Sequence, residues 1–143
     1  MNDRYLFRGR VCDADHGLYN ESEWVQGALV WDKTGTYIIH KLRLHYCANS
    51  ICVEVDPATV GQCTGLKDKN GRLIFEGDVV ETPRNLNINQ KKTCIGIVSY
   101  QKAAWYVCPP GESPLYMGDA AVLGCKIIGN VHDSPELLEG KTS

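Results

Sequence analysis

The stretch from Val55 to Glu81 constrains this chain more than any other, because its turn residues leave room for little besides short strands. Asp68-Lys69-Asn70-Gly71 reads as a type I turn closed by a residue in the left-handed region, with Gly71 taking the positive φ. Thr64–Lys67 precedes this turn and the apolar run Leu73-Ile74-Phe75 follows it, so the spacing predicts a β-hairpin. A second sharp turn at Glu76-Gly77-Asp78 restarts a strand at Val79-Val80. Upstream, the Asp56 side chain is placed to cap one helical turn over Ala58–Gly61, with Pro57 at the first helical position and Gly61 at the end.

The flanking chain reads in the same mode. Tyr5–Val11 alternates as a strand, and the polar segment 13–23 is a loop. Glu23–Trp31 carries large apolar groups on both faces, which predicts a strand covered on both sides. Asp32–Gly35 is a turn and Thr36–His40 a third strand. Ala48-Asn49-Ser50 reads as a turn, followed by a short strand over Ile51–Val55. Past the central hairpin, Asp78–Thr82 is a strand stopped by Pro83, and Arg84–Lys92 an exposed loop. Strands resume at Thr93–Tyr100, with Gly96 marking a bulge or tight bend, and at Ala104–Cys108. Pro109–Pro114 is a surface loop, and Leu123–Val131 the last strand. Ser134-Pro135-Glu136 opens one short C-terminal helix, with a Ser cap and a first-turn Pro.

Several blocks carry a resemblance. The central run Asp56-Pro57, Thr59-Val60-Gly61-Gln62, Thr64-Gly65-Leu66, Asp68, Asn70-Gly71, Phe75-Glu76-Gly77-Asp78 and Val80 resembles the signature of the YopX family of phage and prophage proteins. Cys63 departs from that pattern, which carries an aromatic there. Phe7-Arg8-Gly9-Arg10 with Trp24-Val25 and Gly27 is similar to the family's opening. Ile127–Asp133 with Pro135–Leu138 is similar to its ending. The resemblance implies a mobile-element origin and a small SH3-like β-barrel, and it implies no activity. The expected fold is therefore mainly β: an N-terminal β-lobe over 1–55, packed with an SH3-like barrel over 56–139, and a disordered tail over 140–143. Asp56, Pro57, Asp68, Asn70, Gly71, Glu76, Gly77 and Asp78 are its structural signature.

Composition narrows the partners. The formal net charge is -2, so no global pull toward nucleic acid exists. No apolar run approaches the roughly 18 residues of a membrane span. Met1–Tyr5 lacks the charged and apolar regions of a signal peptide, so the expected location is the cytoplasm of the bacterial host. With 7 Cys and no export signal, a disulfide framework is not expected. His45, Cys47, Cys52 and Cys63 assemble into a zinc set on paper, but the second ligand pair is missing, so buried thiols are the simpler reading.

Chemistry is sparse. No nucleophile–base arrangement, Gly-rich phosphate loop or cofactor motif stands in the sequence, and no small-molecule substrate is identified. Asp68, Glu76 and Asp78 are the one carboxylate set that a metal-dependent enzyme would use, although turn chemistry accounts for all three. Arg84, Lys91, Lys92 and Lys102 with Trp105 form a candidate nucleic-acid face. The preferred reading is a non-enzymatic interaction module that binds a protein partner or itself. A nucleic-acid-binding barrel is the alternative.

Overall fold

The computed structural model describes residues 5–12, 23–44, 47–87 and 89–139. The chain is mainly β. It divides into two compact units between Cys63 and Thr64.

The first unit is built on β-formers paired in sequence order. Its strands are β1 (Phe7–Arg10), β2 (Trp24–Asp32), β3 (Gly35–Leu44), β4 (Cys47–Glu54) and the start of β5 (Gly61–Lys67), in the order β4-β3-β2-β1-β5. All pairings are antiparallel. Asp32 closes the β2–β3 turn by accepting the N–H of Thr34 (2.7 Å) and of Gly35 (3.2 Å). The turn expected at Ala48-Asn49-Ser50 is instead strand: Ala48 faces Arg43, Asn49 faces Leu42 and Ser50 faces Lys41. A continuous ladder against β3 outweighs the local turn preference of Asn and Ser. A single bridge, Val11 to Val55, joins the chain just after β1 to the chain just after β4.

Val11, Val25, Ile38, Val53 and Val55 form this unit's core, with Phe7, Leu29 and Val60 packed against it. The strand expected to be covered on both faces is covered on one: Val25 is buried, but Gln26, Ala28 and Val30 face solvent and Trp31 is 71% exposed. Arg8 and Arg10 lie over the Trp24 ring at 4.9 and 5.9 Å, so the opening block is a cation–π stack across β1 and β2. Asp56 caps as expected, accepting the Ala58 N–H at 3.0 Å. The turn is 3₁₀ over Pro57–Thr59 and ends at Val60, while Gly61 already belongs to β5. Buried Thr59 fixes it: Arg10 N–H donates to its hydroxyl (2.9 Å), which donates to the Asp56 carbonyl (2.6 Å).

In the second unit the later residues of β5 pair with β6 (Leu73–Phe75). The turn between them forms as predicted, with Gly71 N–H to Asp68 O at 3.0 Å, Asp68 N–H to Arg72 O at 2.9 Å and Gly71 at φ +80°. The remaining strands are β7 (Asp78–Asn87), β8 (Gln90–Gln101), β9 (Ala104–Cys108), β10 (Leu115–Tyr116) and β11 (Lys126–Asn130), in the order β10-β9-β8-β7-β11. No closed barrel forms among the described residues, because β10 and β11 remain edges of an open sheet. The Asp68 turn, not another strand, meets β11: Lys69 N–H donates to Cys125 O (2.8 Å) and Ile127 N–H to Asp68 (3.0 Å).

Pro83 does not stop β7. It pairs opposite Thr93, and Arg84–Lys92 is the far end of a β7–β8 hairpin rather than a loop. β11 pairs with β7 only from Asp78 to Glu81, so at Pro83 β7 is an edge strand, where a residue without an N–H is tolerated. Gly96 stays in register opposite Val80. It is needed for a close approach instead: a Cβ there would meet backbone atoms of Cys108 and Pro109 at 2.7 Å. An unexpected helix, α1 (Met117–Leu123), precedes β11 and shortens the predicted last strand to Lys126–Asn130. Met117 and Ala120 on α1 join Ile74, Val80, Val98, Val107, Cys125 and Ile127 in the core. The C-terminal helix is a 3₁₀ turn over Pro135–Leu138, and Ser134 makes no side-chain cap. Asn130 closes the turn before it, its side-chain oxygen accepting the N–H of His132 (3.0 Å) and Asp133 (2.9 Å).

Residues 13–22 of the loop expected at 13–23, and the tail at 140–143, lie outside the described residues.

Candidate functional site

Of the three carboxylates singled out by sequence, Asp68 and Asp78 are spent on backbone, and Glu76 lies half-buried in the turn between β6 and β7. Asp68 is buried and accepts three N–H groups, those of Asn70 (2.9 Å), Arg72 (2.9 Å) and Ile127 (3.0 Å). Burial pushes its carboxyl up, but those three donors and the Arg72 charge outweigh it and hold the group below the usual range. Asp78 is buried and accepts the Phe75 N–H at 2.8 Å across the Glu76-Gly77 turn. Among the described residues no three His, Cys, Asp or Glu side chains are grouped to hold a metal ion. Of the zinc set, His45 and the side chain of Cys47 lie outside what is described, Cys52 is exposed and Cys63 is buried. The buried-thiol expectation therefore fits Cys63, Cys94 and Cys125, whereas Cys12 and Cys52 face solvent.

The basic residues divide between the two ends of β8. Arg84 stands opposite Lys92, and Lys91 opposite Asn85, at the far end of the β7–β8 hairpin. Lys102 sits in the β8–β9 turn, and Trp105 follows in β9. At about 3.3 Å per residue the two groups are roughly 30 Å apart along the strand. Trp105 packs on the core and makes an edge contact with Tyr100, with ring centroids 5.0 Å apart. Arg84 donates to the Ser113 carbonyl at 2.7 Å, and Lys92 is ion-paired with Glu112. That lysine holds the Glu112 carboxyl below its ordinary value. Cys94, buried behind them, has its thiol pushed up by burial and by the Glu112 charge.

The arrangement that survives is a groove in the second unit, and sequence reasoning did not find it. Arg84, Pro114, Leu115, Tyr116, Asp119, Val122 and Leu123 line a hollow of about 490 Å³. Three apolar side chains stand open around it: Val122 is 88% exposed, Tyr116 53% and Leu123 39%. α1 creates this exposure. Burying Met117 and Ala120 on one side turns Val122 and Leu123 outward. Tyr116 is steadied by an edge contact with Tyr106, centroids 6.2 Å apart. Arg84 is oriented by the Ser113 carbonyl and keeps further N–H donors, since a guanidinium carries five. The sequence signal was the spacing of Met117, Ala120 and Ala121, which reads as helix rather than as the start of a strand.

Comparison with known proteins agrees with this fold. The family model described as YopX protein matches residues 7–139. The crystal structure of protein EF1440 from Enterococcus faecalis is similar over 94% of this chain and 97% of that one, with 21% identity and a TM-score of 0.51. At that identity the likeness carries the fold alone. No curated protein matches the chain.

Proposed function

The chain belongs to the YopX family, and we propose that it is a non-enzymatic interaction module that binds a protein partner through the groove beside α1. In this reading it is encoded by a phage or prophage and works in the cytoplasm of the bacterial host, as the family resemblance implies. The second unit is, on the same reading, SH3-like in strand arrangement, which the long β7–β8 hairpin supports. One observation carries the proposal: Val122, Tyr116 and Leu123 expose apolar surface together, around a hollow that has a cation at its wall. Clustered exposed apolar groups with a polar rim mark interaction surfaces, whereas single ones do not. An aromatic and an Arg are also the residue types that dominate binding energy at protein interfaces.

The test is a tagged pull-down from host lysate with the wild-type chain and with Val122→Glu, each with and without nuclease. A partner that survives nuclease and is lost with Val122→Glu supports the reading. One that Val122→Glu leaves in place removes the groove from it. Material that disappears with nuclease moves the chain to the nucleic-acid class.

A further inference from the structure

We infer that the groove takes a peptide segment of mixed charge, in which a bulky apolar side chain stands between a carboxylate and a basic group. The inference rests on the reading above and names its partner class. Arg84 and Asp119 both line the hollow, yet no ion pair joins them among the described residues. The Arg84 guanidinium is fixed by the Ser113 carbonyl, so it offers a preset fork to a carboxylate. The nearby cation Lys92 is already paired with Glu112. The rest of the lining is apolar or aromatic: Pro114, Leu115, Tyr116, Val122 and Leu123. One cation, one anion and an apolar floor complement a segment that carries the opposite charges and an apolar side chain. The same rim argues against polyanions. A nucleic acid or an anionic lipid surface would gain Arg84 and meet Asp119. Asp119 is exposed, and Arg84 gives one N–H to the Ser113 carbonyl and lies near Cys94 and Glu112.

The experiment pans a random dodecapeptide display library on the whole protein, on Val122→Glu and on the double variant Arg84→Glu/Asp119→Lys. Peptides that win on the wild type are expected to carry an acid and a base on either side of a bulky apolar residue, in a fixed order. Winners on the double variant are expected to show the reverse order. A synthetic wild-type winner should bind Arg84→Ala about tenfold more weakly, and Arg84→Lys should recover part of that loss. Winners sensitive to Val122→Glu but lacking the charge pattern, or showing the same order on both proteins, overturn this inference and leave the groove as a binding site. Absence of winners, or winners indifferent to Val122→Glu, overturns it as well, and the pull-down then decides the groove separately. A dimer in sedimentation that dissociates with Val122→Glu assigns the groove to a second copy of the chain and also overturns the peptide.

Discussion

Asp68 shows how much of this fold rests on single polar atoms. Its two oxygens close the β5–β6 turn and hold the N–H of Ile127 on β11, residues distant in the chain. Asp68→Asn keeps one acceptor but turns an NH₂ group toward a buried donor, and should destabilise the protein by about 2 kcal/mol in urea denaturation. The group also titrates with folding. Its carboxyl is lower in the folded chain than in the unfolded one, so the unfolded state takes up the proton first. The stability it contributes is complete above the unfolded value of about 3.9 and drains as pH falls through the lower folded value. Melting temperature should therefore fall steeply below about pH 4, and Asp68→Asn should flatten that decline; an unchanged slope would mean the carboxylate is not the group responsible. Gly71 is a purely backbone case. At φ +80° a side chain there meets nothing within 4 Å, so Gly71→Val should cost about 1–2 kcal/mol through conformation alone, read as a drop in melting temperature. Both residues were legible in the sequence, because turn chemistry is local and the Asp-Lys-Asn-Gly run states it directly.

At the level of elements, legibility follows whether the local residue preferences agree with the pairing that forms. The β5–β6 hairpin, the Asp56 cap and the strand β9 are set by neighbours in sequence and were read correctly. The start of β4, over Ala48–Ser50, and the distal half of the β7–β8 hairpin read as turn and loop, because their Asn, Ser and Pro residues favour turns locally, although each segment pairs with a strand only a few residues away. The helix α1 was missed for a different reason. Its seven residues are too few to be stable by propensity, and it exists because Met117 and Ala120 find a core built by β7, β8, β9 and β11. The groove depended on that helix and was hidden with it. Opposite faces of α1 should therefore respond differently to truncation. Met117→Ala opens a cavity in the core and should cost about 2–5 kcal/mol. Val122→Ala removes an exposed side chain and should stay within about 0.5 kcal/mol, which denaturant melts of the two variants would separate. Equal losses would place Val122 in the core and remove the groove.

For the whole molecule the informative quantity is where charge lies rather than its sum. The formal net charge is -2, yet from Thr82 to Gly111 the chain carries Arg84, Lys91, Lys92 and Lys102 and not one carboxylate. In sequence this is a basic block, and it supported a nucleic-acid face. Folding spreads it along β8: Lys102 goes to one end, while at the other Lys92 is ion-paired with Glu112 and Arg84 is held by the Ser113 carbonyl. Trp105, the aromatic expected to stack on bases, packs against the core instead. Phosphate contacts add through counterion release at a slope of about -0.9 each, so four convergent cations would give a salt slope near about -3.6. Cations divided between the ends of one strand, half of them engaged within the protein, should give no slope steeper than about -2. We therefore expect the anisotropy of a fluorescein-labelled DNA duplex to stay nearly flat with added protein at physiological salt, and Lys91→Glu/Lys92→Glu to change little. Saturable binding that weakens a hundredfold or more from about 50 to about 200 mM salt, and is lost in that double variant, would instead reunite the cluster and make the far end of the β7–β8 hairpin the working surface.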